Sequence, residues 1–252
     1  MYLRKDHAEP SLSVLRQLIR DQPLGVFTTA ISSPNFPLIQ CSHIPFLLDV
    51  EDESSETELG RLRAHMARQN PHTKAMIESL TSEASNPTGG KVLEQEVMIL
   101  FTSPIDHYVT PKFYVETKPS TGKVVPTWNY AAAQVYGRAT LYFDTKDPET
   151  DAFLTKQIHD LSQLGEVNMM GYSGENGRPK PWNVTEAPER YVEVMKKAII
   201  GMEITIDRLE GKFKMSQELA EGDRQGVVKG FADLETDLGK AMSQIVQERG
   251  AK

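Results

Sequence analysis

Apolar residues recur along the chain at two different intervals, and the interval changes at recognisable breaks. Over residues 11–21, Leu12, Val14, Leu15, Leu18 and Ile19 keep helical spacing, Ser11 or Ser13 can cap the start, and Gln22 and Pro23 end the run. Residues 24–30 and 38–48 are rich in β-branched and aromatic side chains and are separated by Ser-Ser-Pro-Asn, which predicts two antiparallel strands and a turn. Further strands are expected over 60–67, over the apolar run 96–102, and over 135–143, where Val135, Gly137, Ala139, Leu141 and Phe143 share a face. The acidic, polar stretch 49–58 and the Ser-, Gly-, Asn- and Pro-rich stretch 81–90 read as surface loops. Five or six antiparallel strands suffice for a small barrel.

The later chain is more helical. Asp147 and Pro148 predict an N-cap and a first-turn proline, opening a helix to about residue 164. Gly171, Gly174, Gly177, Pro179 and Pro181 make 168–184 an irregular loop. Helices are expected over 186–198, 216–231 and 233–249, with an alternating strand over 199–209. No repeat and no second composition regime is present, so one domain with helical decoration is expected.

Composition narrows the function classes. No apolar run approaches the roughly 20 residues needed to cross a bilayer, and the N-terminus has no apolar signal core, so no membrane partner and a cytoplasmic location are expected. A single cysteine, Cys41, excludes an intrachain disulfide and reads as a small buried strand residue. With 35 acidic against 28 basic residues, the net charge of −7 disfavours a nucleic acid partner. The clearest basic positions, Lys196, Lys197, Lys212 and Lys214, read as a solvated helix end and a ligand-facing strand. Phosphate loops of the Walker type, HExxH helices, paired-cysteine metal motifs and GxSxG turns are all absent from the sequence.

Two segments concentrate candidate chemistry. VVPTWNYAAAQVYGRA at 124–139 reads as a Pro-initiated turn entering a strand, with Thr127, Trp128, Asn129 and Tyr130 in succession. LEGKFKMSQ at 209–217 places Lys212 and Lys214 on one strand face, then adds Ser216 and Gln217 where the strand is expected to yield to a helix start. Aromatic faces and cationic donors together suit a planar, phosphorylated ligand. Each candidate also has a plain structural alternative: Trp128 as core or interface, the lysines as a basic edge.

With MYLRKDH at the start, GRLRAHMARQNPH at 60–72, FTSPIDHYVTPKFY at 101–114 and GMEITIDRLEGKFKMSQELAEGDRQGVVKGF at 201–231, these blocks resemble the PaiB family, named for transcriptional regulation, within the FMN-binding split-barrel group. The resemblance implies an α+β fold, an antiparallel split β-barrel decorated with helices and carrying a C-terminal helical extension. It implies a split-barrel domain over 1–231 and a helical tail over 232–252. It implies a homodimer with FMN in a groove between the subunits, serving a flavin-dependent oxidoreductase or a flavin-responsive regulator. No residue identifies an electron donor or a substrate.

The resemblance also assigns site residues. His65, Met66, Ala67, Arg68 and Asn70, at a strand end and turn, inherit contacts to the FMN phosphate and ring edge. Ser42 and His43 on a neighbouring strand form the other half of that groove, although alternation sends them to opposite faces; Thr28 and Thr29 read as structural. At Gln134 the family pattern commonly has histidine; glutamine keeps a hydrogen-bonding side chain but cannot exchange a proton near neutral pH. Two alternatives accompany the flavin reading. One is a DNA-binding negative regulator, nuclear if eukaryotic. The other is a haem-binding or haem-degrading protein with His65 or His43 as axial ligand and no separate metal site.

Overall fold

The computed structural model describes residues 1–82 and 90–250, so most of the loop expected over 81–90 lies outside the described residues. The elements, in chain order, are α1 (Leu12–Asp21), β1 (Leu24–Ala30), β2 (Ile39–Pro45), β3 (Leu47–Asp49), β4 (Arg61–Ala67), α2 (Pro71–Thr81), β5 (Val97–Thr102), β6 (His107–Val109), α3 (Thr117–Thr121), β7 (Thr127–Tyr142), α4 (Pro148–Gln163), α5 (Glu189–Lys197), β8 (Ile199–Lys214), α6 (Glu221–Ala232) and α7 (Asp237–Gly250). Eight strands form one sheet in the order β2-β1-β5-β7-β8-β4-β3, with β6 pairing with β7. The fold is α+β, of the antiparallel split-barrel type with helical decoration and helices at the C-terminal end.

Contacts divide the chain into two compact units. One comprises Met1–Gln22, Phe101–Gln134 and Glu210–Lys252; the other comprises Pro23–Leu100 and Val135–Leu209. The long strands β7 and β8 belong partly to each. The second unit holds most of the sheet. β1 pairs antiparallel with β2, placing Phe27 opposite Ser42, and with β5, placing Phe27 opposite Ile99; β4 pairs antiparallel with β8, placing His65 opposite Gly201. One face of this sheet is closely filled: Phe27, Leu62, Ala64, Ile99, Leu141 and Ile200 are fully buried. Over the other face of β4 lies α4, where Arg63 donates to Asp160 at 2.9 Å. Phe153 packs where a Cβ on Gly201 would otherwise stand.

In the first unit Val109, Tyr114, Met215, Val227, Phe231 and Met242 are buried in one cluster. Its N-terminal segment adds polar ties: His7 Nε2 lies 3.0 Å from Glu218, and buried Glu9 pairs with Arg249 of α7.

Several local expectations hold for the reasons that motivated them. The Ser11 hydroxyl accepts from the Val14 amide at the start of α1, and the Asp147 carboxylate accepts from the Glu149 amide in front of Pro148. Others are corrected. The strand count is eight rather than five or six, because β3 and β6 are three-residue pieces too short to show alternation. The strand expected over 135–143 starts at Thr127. The region after β4 is a helix, α2, rather than the expected turn. Cys41 is exposed, not buried, because it sits on the outward-facing side of β2. Lys196 is buried rather than solvated, its ammonium held by Asp151 and Glu193.

Among the described residues no helix is long and apolar enough to cross a membrane.

Candidate functional site

The residues singled out in the sequence fall into two sets, one in each unit. The first gathers where β2, the end of β4 and the start of α2 meet. On β2, Ser42 turns toward α2 while His43 is exposed on the opposite face, so only Ser42 joins this cluster. Asn70 caps α2 with its Oδ1 accepting from the His72 amide at 2.9 Å, while its Nδ2 donates weakly to Ser42 Oγ at 3.4 Å.

His72, absent from the sequence-derived candidates, is the hub. Its Nδ1 lies 3.0 Å from Ser42 Oγ, its Nε2 lies 2.8 Å from Thr29 Oγ1, and its ring stacks on Phe27 at 4.9 Å. Burial lowers its pKa to about 4, so the imidazole is neutral near pH 7. A neutral ring has one donor and one acceptor nitrogen, and two hydroxyls can complement either tautomer. Thr29, read as structural in the sequence, is part of this network. The sequence signal that could have located it is Asn-Pro-His, an N-cap followed by a first-turn proline.

Arg68 leaves β4 and turns back over β8. Its Nε donates to the Lys197 carbonyl at 3.2 Å, and its Nη2 donates to the Phe143 and Ile199 carbonyls at 2.7 and 3.3 Å. Its Nη1 has no hydrogen-bond partner among the described residues, so an anion at this strand end would find one free edge of a fixed guanidinium. Met66 is buried on the filled sheet face, and Ala67 is exposed at the strand end. His65 points to the α4 side of the sheet, where its Nδ1 is buried without a partner and desolvation lowers its pKa.

The second set forms a polar clasp between β7 and the end of β8. The Lys214 ammonium donates to Thr127 Oγ1 and, at 2.9 Å, to the Trp128 carbonyl; desolvation lowers its pKa. Ser216 Oγ donates to Asn129 Oδ1 at 3.1 Å, with both residues fully buried. Gln217 accepts from the Met215 amide at 2.6 Å and donates to the Phe213 carbonyl at 2.5 Å. Ser216 has φ 64°, a left-handed turn, and α6 begins only at Glu221. The expected helix start at 216, with free amides for a phosphate, is therefore corrected: those residues build the turn that precedes α6.

Lys212 is buried as well, donating to the Tyr2 carbonyl at 3.2 Å and lying 5.1 Å from the centre of the Tyr130 ring. Gln134 is half-buried on β7. Trp128 is half exposed, its indole N–H donating to Asp106 at 2.9 Å and its ring meeting Tyr108 edge-on at 6.2 Å. This set thus offers an exposed aromatic pair above a clasp whose polar groups are largely engaged with the protein. Among the described residues no three His, Cys, Asp or Glu side chains are grouped to hold a metal ion.

Residues 1–208 match the family described as "Putative FMN-binding domain". The chain belongs to this family. A protein of Emericella nidulans, "Uncharacterized protein AN0679", is 58% identical over 252 residues, 99% of this chain and 98% of that one. The Bacillus subtilis "Protease synthase and sporulation protein PAI 2" is 23% identical over 155 residues, 62% of this chain and 64% of that one, in keeping with the resemblance to the PaiB group. Among solved structures, the flavocytochrome Anf3 from Azotobacter vinelandii superposes with a TM-score of 0.44 at 14% identity, covering 82% of this chain and 68% of that one.

Family membership raises the question of whether these residues fit a flavin mononucleotide. Arg68 fits its phosphate end, as a guanidinium fixed on three carbonyls with one free nitrogen, while Ser42 and Asn70 bond to each other and to His72 at the start of α2. The 209–217 segment fits it less well, because its two ammonium groups already have protein acceptors.

Proposed function

We propose that this protein binds FMN, with the phosphate at the β4–α2 corner and the ring on the outer surface between two copies of the chain. The observation that carries the reading is the Arg68 guanidinium, fixed on three backbone carbonyls just after β4 with its Nη1 left without a partner among the described residues. A fixed guanidinium offers a phosphate a charge-assisted hydrogen bond. The ring placement is supported by packing. The inner sheet face is filled by side chains, so a tricyclic ring has no room there and must lie outside. A second subunit would then cover the ring, and exposed Trp128 and Tyr108 are the kind of surface that meets such a partner.

Bound FMN would supply hydride or electron transfer. The protein's own part is to hold the phosphate, orient the ring and exclude water from one of its faces. Gln134, without an ionisable hydrogen, would bind rather than move a proton. Whether the flavin serves an oxidoreductase or a regulator depends on the partner that meets the exposed side of the ring. A net charge of −7 argues against direct DNA binding, and of the two histidines that the haem alternative would use, His65 is half-buried while His43 is exposed on the outer face.

The test is FMN affinity by calorimetry, with riboflavin as control and oligomeric state by light scattering. Arg68→Ala should weaken FMN by about 10- to 100-fold, the cost of one charge-assisted hydrogen bond, and leave riboflavin unchanged. Equal affinity of wild type and variant for FMN, or a colourless monomer indifferent to FMN, would refute the assignment.

A further inference from the structure

A cleft of about 400 Å³ opens within the second unit, on the side of β4 that faces away from the filled interior. Its walls are His65 of β4, Ile158 and Leu161 of α4, Trp182 in the loop before α5, and Tyr191 and Met195 of α5. This volume falls in the range of small-molecule sites, which are about 300–1,000 Å³.

The rotation of α5 opens the cleft. An ordinary surface helix hides its apolar side chains and exposes its charges. On α5 the charges at 189, 190, 193 and 197 are exposed, yet Lys196 is 7% exposed while Tyr191 is 58%, Val194 58% and Met195 45% exposed. The cause is the ammonium of Lys196, which donates to Asp151 at 2.6 Å and Thr155 at 3.1 Å, both on α4, and pairs with Glu193. That anchor turns Tyr191 and Met195, one helical turn apart, onto the rim of the cleft. Trp182 stands on the same rim, 44% exposed.

The lining chemistry limits the occupant. Lys196 is the cation of the lining, and its donors are taken by α4 and Glu193, so an anion finds no free positive charge. Carboxylates do not line the cleft, so a cation finds no counter-ion. Aromatic rings and a thioether favour a flat apolar molecule. The neutral polar groups of the lining are Ser162, the Trp182 indole, the Tyr191 phenol and His65, whose Nδ1 is buried with no partner although buried polar atoms are normally hydrogen-bonded.

We propose that this cleft is a binding site, separate from the flavin groove, for an uncharged aromatic small molecule that carries one N–H or O–H group toward His65. The aromatic body lies between Trp182 and Tyr191 and covers the otherwise exposed rim of α5. This site does not depend on the flavin reading, since its walls and its orphaned nitrogen are present whether or not FMN is bound.

The probe is N-phenylnaphthylamine, uncharged and bearing one N–H, titrated by fluorescence into full-length protein with and without saturating FMN. One probe per chain is expected, with emission enhanced and shifted to the blue. Phenylnaphthalene, which lacks the N–H, should bind about fivefold more weakly, the worth of one hydrogen bond. Ala187→Phe fills the cleft and should weaken the probe at least about tenfold while FMN retention stays at the wild-type level; Met195→Trp does the same from the opposite wall, should the first variant not fold. His65→Phe should remove the preference for the amine over the hydrocarbon. Undiminished binding to both filled variants, several probes per chain, or displacement of the probe by FMN would each overturn the assignment.

Discussion

A chain ended at Thr236 is expected to lose the cooperative folding of the first unit. The cut removes α7, whose Met242 and Val246 are fully buried in the cluster containing Phe231, Val227 and Met215. Replacing one such residue, Met242→Ala, should cost about 2–5 kcal/mol through lost burial and the cavity left behind. Losing the helix removes both residues at once, and whole-protein stabilities are only about 5–15 kcal/mol. Two polar losses follow. Ser243 Oγ no longer donates to the Val228 carbonyl at 2.8 Å, and Glu9 keeps a buried carboxylate without its Arg249 partner. Breaking a buried pair from one side is more costly than never having it. The measurement is urea unfolding followed by far-UV circular dichroism. A truncated chain with the full-length midpoint would show that α7 does not support the first unit.

Stability is expected to fall by about 3 kcal/mol as the pH is lowered from 6.5 to about 4, through His72 alone. The sign follows from burial. The unfolded histidine takes up its proton near 6.5, while the folded one resists it until about 4, so within that window the unfolded state binds more protons. Above 6.5 the contribution is fully present; below about 4 its loss is complete. The network of Thr29 and Ser42 does not itself forbid the proton, since both hydroxyl oxygens can accept. The cost comes from charging a ring that is only 2% exposed, so that burial disfavours the imidazolium. His72→Gln should flatten the curve between pH 6.5 and 4 relative to wild type, read as the urea midpoint at each pH. Parallel curves for the two proteins would show that His72 does not titrate in this way.

Much of the scaffold was legible because its signals are local. Alternation located β7 and β8, β-branched and aromatic enrichment β1 and β2, and an apolar run β5; a capping serine located the start of α1, and a capping aspartate with a following proline that of α4. α2 escaped although Asn70-Pro71 announces it, because its buried face is His72, Thr73, Ala75, Met76 and Leu80, a mixture with weak apolar contrast. The start of α6 was misplaced because no periodicity reveals that Ser216 adopts φ 64°. A serine can take that conformation only where the surroundings enforce it, here the buried bond to Asn129.

For the candidate site, residue type pointed to the right segments but not to the partners. Lys212, Lys214, Ser216 and Gln217 looked like a supply of donors because a sequence lists donors without their acceptors. Gln217 finds its acceptor locally in Phe213, but for the other three folding supplies acceptors from 86 to 210 residues away: Thr127, Trp128 and Asn129 on β7, and Tyr2 at the other end of the chain. The same holds for Lys196, whose burial depends on Asp151 and Thr155 of another helix.

The sequence by itself determined the strand and helix segments, the acidic surface and the family, since all of these follow from nearest-neighbour spacing, composition or shared motifs. Only the tertiary structure decided which polar groups are spent holding the protein together and which remain open to a ligand. That division depends on burial and on hydrogen-bond partners brought in from distant parts of the chain, which no local pattern encodes.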